Sequence, residues 1–353
     1  MGAKASQRKS FSERYNPIMS DQPAPGVVKR DKALDTTKGI AILAVVIFHM
    51  TRGFTDSGQI GSGRVLQVAD SVAYGFHIQT FFIIAGYLAF PRAGSFQVQL
   101  DRQASLYYAY LLWSCISWGI SAVMATAVNH PVSLNELLFI PIAPIQHFWF
   151  LLPLMLGTAL MGILRTPLLL LLGCLLLAVL TSAPGLATLG IYGWVFYVLF
   201  GGLLRAADLR PKAHLLIGFA GAALLLANAW HDVHNGDWFH SPPFTYVVTL
   251  GGCYAAYVAG TYAARANPIG SALGMLGRHS MAIFLLHTIT GSGLRIILGH
   301  AAPELNVYFV IVLTIFSGLY VPIAIEWGAE RMGLAKLLGL KPFKFRKPQA
   351  AAA

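Results

Sequence analysis

Apolar residues in this chain gather into long runs, each closed by a short polar break, from residue 39 almost to residue 326. A helix needs about 20 mostly apolar residues to cross a bilayer. The pattern therefore predicts an all-α polytopic membrane protein. Reading the breaks gives ten transmembrane helices, at 34–54, 68–90, 104–127, 144–164, 167–183, 186–204, 213–231, 244–263, 279–298 and 305–326. Three regions follow: a disordered basic tail over 1–33, a membrane domain over 34–328 and a short basic tail over 329–353.

Composition agrees with this reading. The chain is 56% hydrophobic and 11% charged, with a mean hydropathy of +0.63, whereas a soluble chain carries roughly a quarter charged residues. The net charge of +11 raises the question of nucleic acid, but the basic residues are spread among loops and tails, and none is expected as a partner. Topology accounts for them. With both termini cytoplasmic, the inside segments hold all of the 25 lysines and arginines except Lys38, Arg52, Arg64 and Arg295, as the positive-inside rule requires. Cys115, Cys174 and Cys253 fall within apolar runs and suggest buried thiols. The first tail lacks the apolar core of a signal peptide.

The polar exceptions inside the runs are the chemical candidates, since titratable groups are costly in lipid. In "LDTTKGIAILAVVIFHM" Lys38 and His49 stand eleven positions apart. Eleven helical residues advance about 16 Å and turn about 1100°, which returns both to nearly one face. Snorkelling of Lys38 and a helix–helix hydrogen bond from His49 are the structural reading of the same pair. His77 and Gln79 interrupt the second run, His147 and Trp149 open the fourth, and Ser280 and His287 lie in the ninth. Gly75 and Gly86 suit close helix contact. Imidazole changes protonation near neutral pH and serves as a general base or proton relay. Asp35, three residues before Lys38, suits pairing with it. Glu326 suggests a structural pair with an arginine. The stretch "HDVHNGDWFHSPP" (231–243) is histidine-rich but matches no strong metal pattern, so no metal is expected.

With these stretches in view, the chain resembles the acyltransferase-3 family of membrane acyltransferases, particularly its polysaccharide O-acetyltransferase branch. Lys38 and His49 resemble the first-helix motif, a basic residue followed after ten positions by a histidine. "FHIQTFFIIAGYL" is similar to the second motif, with His77 as its histidine. "SFQVQLDRQASLYYAYLLWS" resembles the approach to the third helix, where Arg102 takes a basic position, and "HFWFLLPL" and "SMAIFLLH" are similar to two later motifs. Ala85 departs from the family's usual serine, and Gln79–Thr80 from a Pro-Leu pair.

The resemblance implies an acyl-CoA-dependent O-acyltransferase in a bacterial inner membrane, moving an acetyl or other short acyl group from cytoplasmic acetyl-CoA. The acceptor it implies is a carbohydrate hydroxyl, on a polysaccharide or a lipid-linked oligosaccharide, as in exopolysaccharide modification. On this reading Lys38, Arg92 and Arg102 bind the coenzyme phosphates, and His49 and His77 are catalytic. His147, Trp149, Ser280 and His287 line the acceptor or oxyanion site. A flippase for lipid-linked sugars with a histidine proton relay, and an N-acyltransferase acting on an amino sugar, are the alternatives.

Overall fold

The computed structural model describes residues 30–124, 132–182, 190–209, 212–235 and 244–343. Among them every regular element is a helix. Lipid offers no hydrogen-bond partners, and an α-helix satisfies its own backbone. The elements in chain order are α1 (Lys32–Asp56), α2 (Arg64–Tyr74), α3 (His77–Ala89), α4 (Phe96–Val123), α5 (Leu134–Phe139), α6 (Leu151–Leu160), α7 (Pro167–Ser182) and α8 (Gly190–Ala206), then α9 (Leu215–Asn235), α10 (Phe244–Ala263), α11 (Ile269–Arg278), α12 (Ser280–Ala301) and α13 (Val307–Arg331). A 3-10 turn, Gln146–Phe150, leads into α6.

Among the described residues six helical stretches are long and apolar enough to cross a membrane: Lys32–Asp56, Arg64–Arg92, Phe96–Val123, Leu215–Asn235, Ser280–Ala301 and Val307–Arg331. The other four expected spans correspond to three shorter apolar helices, Gln146–Leu160, Pro167–Ser182 and Gly193–Ala206, and to the 20-residue α10. The chain is a multi-pass membrane protein. On α7 the face bearing Leu168, Leu172, Leu175 and Val179 is exposed, while Leu170 and Cys174, four apart, turn inward. Of the three thiols, Cys174 and Cys253 are buried as expected and Cys115 is exposed.

Two departures from simple spans matter for the site. The run 68–90 is continuous in hydropathy but bent in geometry. Phe76 leaves the helical conformation at φ −144°, and Leu225 of α9 occupies the space beside Gly75 that a Cβ would need. His77 therefore becomes the first residue of α3. The second departure is α11, which no apolar run announced. It lies along α1, with Gly39 against the backbone of Leu273 and Gly277 against the carbonyl of Asp35. Between membrane helices, close backbone approach replaces the hydrophobic drive that lipid removes. Gly86 of α3 sits in the same way against the backbone of Val198 in α8.

Beyond α13 the chain turns back onto α4. The Trp113 indole donates to the Leu338 carbonyl (2.9 Å), and the Ser105 hydroxyl accepts from the Phe343 amide (2.8 Å). Residues 1–29 of the first expected tail and 344–353 of the second lie outside the described residues. So does 236–243 of the histidine-rich stretch. Among the described residues no group of three or more His, Cys, Asp or Glu has metal-holding geometry.

One pairing is corrected. Glu326 meets not an arginine but His279, whose Nδ1 lies 2.7 Å from its Oε2. His279 stands at the break between α11 and α12, where its ring turns toward α13, while Arg278 beside it is exposed. The expected Asp35–Lys38 pair is present at 2.9 Å.

Candidate active site

α1 and α12 run side by side in the same direction, Met50 packing against Gly291 and Gly53 meeting Arg295 about one turn further along both. The Arg295 guanidinium donates to the Gly53 carbonyl at 2.6 Å, four residues beyond His49 and eight beyond His287. His49 and His287 meet between the two helices. Their ring centroids lie 5.1 Å apart, with planes inclined by 82°. The 3-10 turn before α6 brings in a third imidazole, His147, 5.0 Å from His287 and 6.3 Å from His49. Three segments distant in sequence thus converge on one imidazole cluster.

The hydrogen bonds define the state of one of these rings. His287 Nδ1 lies 2.9 Å from the Phe284 carbonyl and 3.1 Å from that of Ile283. A carbonyl only accepts, so Nδ1 carries the proton and Nε2 of the neutral ring presents a lone pair. Among the described residues that buried Nε2 has no hydrogen-bond partner, nor has Nε2 of His147. Behind the cluster stands an apolar wall: Phe284 edge-on to His147 (5.2 Å), then Phe150 (4.8 Å from Phe284), then Phe82 stacked on Phe150 (4.4 Å). Unpaired lone pairs against aromatic walls are expensive for stability, and such cost is retained mainly where chemistry needs it.

In front of the cluster lies a cleft of ≈360 Å³. Its walls run from His49 and His147 outward to Arg52, Asp56, Met124 and Arg295, so it opens at the Arg52 end of α1. Arg52 is held by Asp70 Oδ2 and the Tyr74 hydroxyl, both at 2.5 Å, and its guanidinium lies over the Tyr74 ring at 4.4 Å. Gln146 also lines the cleft. Its backbone has φ +49°, a left-handed conformation that costs a non-glycine residue about 1–3 kcal/mol. The Ser117 hydroxyl donates to its Oε1 (2.6 Å), and its Nε2 donates to Ser121 Oγ (3.2 Å).

The candidate residues named from the sequence sort into three groups. His49, His147 and His287 come together. His77 stands beside them: its Nδ1 donates to the Ala73 carbonyl and its ring meets Tyr74 edge-on at 5.0 Å. It is close enough for an electrostatic interaction with His49. Trp149 turns away to Trp194 on α8, 5.0 Å between centroids. Ser280 lies seven residues before His287 on α12, about 10 Å along the helix. The cations occupy the opposite end of the bundle. Arg92 and Arg102 lie near enough for their charges to interact, and the Arg165 guanidinium rests against Gly94 between them. Lys38, paired with Asp35, belongs to the α1–α11 face.

Sequence reading did not single out Arg52, Asp70 and Tyr74 as a unit, nor Gln146 and its two serines. Polar residues interrupting apolar runs at 70, 117, 121 and 146 were the available signal. A family model for an acyltransferase domain matches residues 31–327, so the match takes in the imidazole cluster and both groups of cations. No curated protein and no solved structure matches the chain. A match over most of the chain shows that the chain belongs to the acyltransferase-3 family of membrane acyltransferases.

Proposed function

We propose that this acyltransferase moves an acetyl or other short acyl group from cytoplasmic acyl-CoA to a carbohydrate hydroxyl, on a polysaccharide or lipid-linked oligosaccharide, at the far face of a bacterial inner membrane. The topology in this proposal has ten spans and both termini in the cytoplasm, which puts the Lys38 end inside and the Arg52 end outside.

One observation carries the reading: the imidazole cluster stands between a cationic end and an open cleft. Arg92 and Arg102 gather at the end where the proposal brings the coenzyme. Guanidinium groups hold phosphate through charge-assisted hydrogen bonds. The cleft above His49 and His147 faces the other side and is lined by hydroxyl, amide and guanidinium groups suited to a polyhydroxyl acceptor. Lys38 joins the phosphate site in this scheme by exchanging Asp35 for a phosphate oxygen.

His49 is the general base. It takes the proton of the acceptor hydroxyl as the oxygen attacks the thioester carbon. The tetrahedral oxyanion then collapses, the carbon–sulfur bond breaks, and the imidazolium returns the proton to the leaving thiolate. The lone pair on His287 Nε2 is available to an N–H of His49, orienting that ring and supporting its transient charge. His77 backs the same ring from α3, and His147 closes the cluster on the cleft side.

The test is purified protein in lipid vesicles with labelled acetyl-CoA, together with mass spectrometry of surface glycans from cells with and without the protein. Release of free CoA and an acyl mass lost on deletion are expected. A protein that moves a lipid-linked sugar without consuming acetyl-CoA would be a flippase, and the proposal would fail.

A further inference from the structure

The left-handed backbone at Gln146 is one of two positive-φ positions held by a non-glycine residue among the described residues, the other being Asp208. Gln146 immediately precedes the buried ring of His147. Its side-chain amide is used at both ends by α4, accepting from Ser117 and donating to Ser121, one helical turn apart. Those serines are themselves buried in the cleft wall. The segment leading into the turn is tied to the same helix: the Tyr110 hydroxyl donates to the Ile140 carbonyl, and that of Tyr107 to Pro141 (3.2 Å).

A left-handed residue reverses the direction in which the chain presents its next side chain. An amide clamped at both ends fixes how far that reversal goes. From this geometry we infer that Gln146 is a positioning residue: the Ser117–Gln146–Ser121 clamp sets the His147 ring against His49 and His287. The inference rests on reading the imidazole cluster as the site of reaction. It adds that α4, which contributes no imidazole, controls how the cluster is assembled.

The experiment compares wild type with Gln146→Ala, Gln146→Asn and the double variant Ser117→Ala/Ser121→Ala, all in vesicles. Free CoA release from labelled acetyl-CoA is followed across pH, and carbethoxylation of His147 by diethyl pyrocarbonate is followed by mass spectrometry. Gln146→Ala and the double serine variant are expected to lower kcat about tenfold to a hundredfold, the scale on which a misplaced reacting group loses rate. KM for acetyl-CoA stays unchanged, the pH–rate profile shifts, and His147 reacts faster with the reagent. Gln146→Asn recovers part of the rate, because asparagine tolerates left-handed backbone better than alanine does.

Unchanged His147 reactivity in the alanine and serine variants overturns the inference whether or not the protein turns over acetyl-CoA. So does wild-type kcat in those variants. If wild type itself releases no CoA, the proposed function fails, while the reactivity measurement still decides the role of Gln146.

Discussion

His147 and His287 meet with ring centroids 5.0 Å apart and planes inclined by 63°, although 140 residues separate them in the chain. Each has a buried Nε2 with no hydrogen-bond partner among the described residues. For His287 the donation of Nδ1 to the Phe284 carbonyl explains why: the tautomer leaves the lone pair on the other nitrogen. Two such nitrogens in adjoining rings beside His49 lie against an aromatic wall. A core built only for stability gains nothing from this, because apolar side chains of similar volume fill such a space without stranding polar atoms.

His49→Ala is expected to abolish acyl transfer while leaving expression and membrane insertion intact. General-base catalysis contributes about 10²–10⁴-fold. Loss on that scale should appear in kcat, measured as CoA release by purified protein. Wild-type turnover by this variant would remove the catalytic assignment.

Arg102→Ala should act on binding instead. The side chain donates to Gln99 at 3.2 Å, and among the described residues no ion pair ties it to a carboxylate. If it holds a coenzyme phosphate, its removal raises KM for acetyl-CoA and leaves kcat nearly unchanged, the signature of lost uniform binding. Replacing acetyl-CoA with acetyl-pantetheine, which lacks the nucleotide phosphates, should erase the difference between variant and wild type.

Asp70→Asn tests the network at the cleft mouth. Arg52 and Asp70 side chains are 36% and 31% exposed, so their 2.5 Å pair is screened by solvent, and its loss should cost on the order of 1 kcal/mol or less in stability. Activity should fall further than stability does, because the freed guanidinium swings within a cleft that His49 also lines. Parallel measurement of thermal unfolding and CoA release separates the two effects.

The membrane character, most helix positions and three of the converging imidazoles were legible in the chain, because a polar residue in an apolar run is conspicuous. What brings the imidazoles together was not. The break before His77 lies where Leu225 reaches Gly75 from a helix 150 residues away. The short helix α11 carries small residues rather than an apolar run, and its close approach to α1 through Gly39 and Gly277 accounts for its position. Glu326 was assigned an arginine by charge alone, whereas the helix break at His279 supplies the nearer partner. In each case the deciding fact is a tertiary contact, which no local pattern records.

Helix packing gives the last prediction. A Cβ at Gly86 would collide with the carbonyl of Val198, a backbone atom that cannot rotate aside, so Gly86→Ala must push α3 and α8 apart. Overpacking of this kind costs about 1–3 kcal/mol. Gly119 on α4 has open space where its Cβ would lie, so Gly119→Ala is the matched control. It should be neutral or slightly stabilising, since alanine is the better helix former. In detergent, Gly86→Ala is expected to lower Tm by several degrees and Gly119→Ala to leave it level or raised. Because α3 carries His77 on its first turn, the Gly86 variant should also lose activity at temperatures where it remains folded. Equal melting temperatures for the two variants would mean that α3 and α8 do not pack through this glycine.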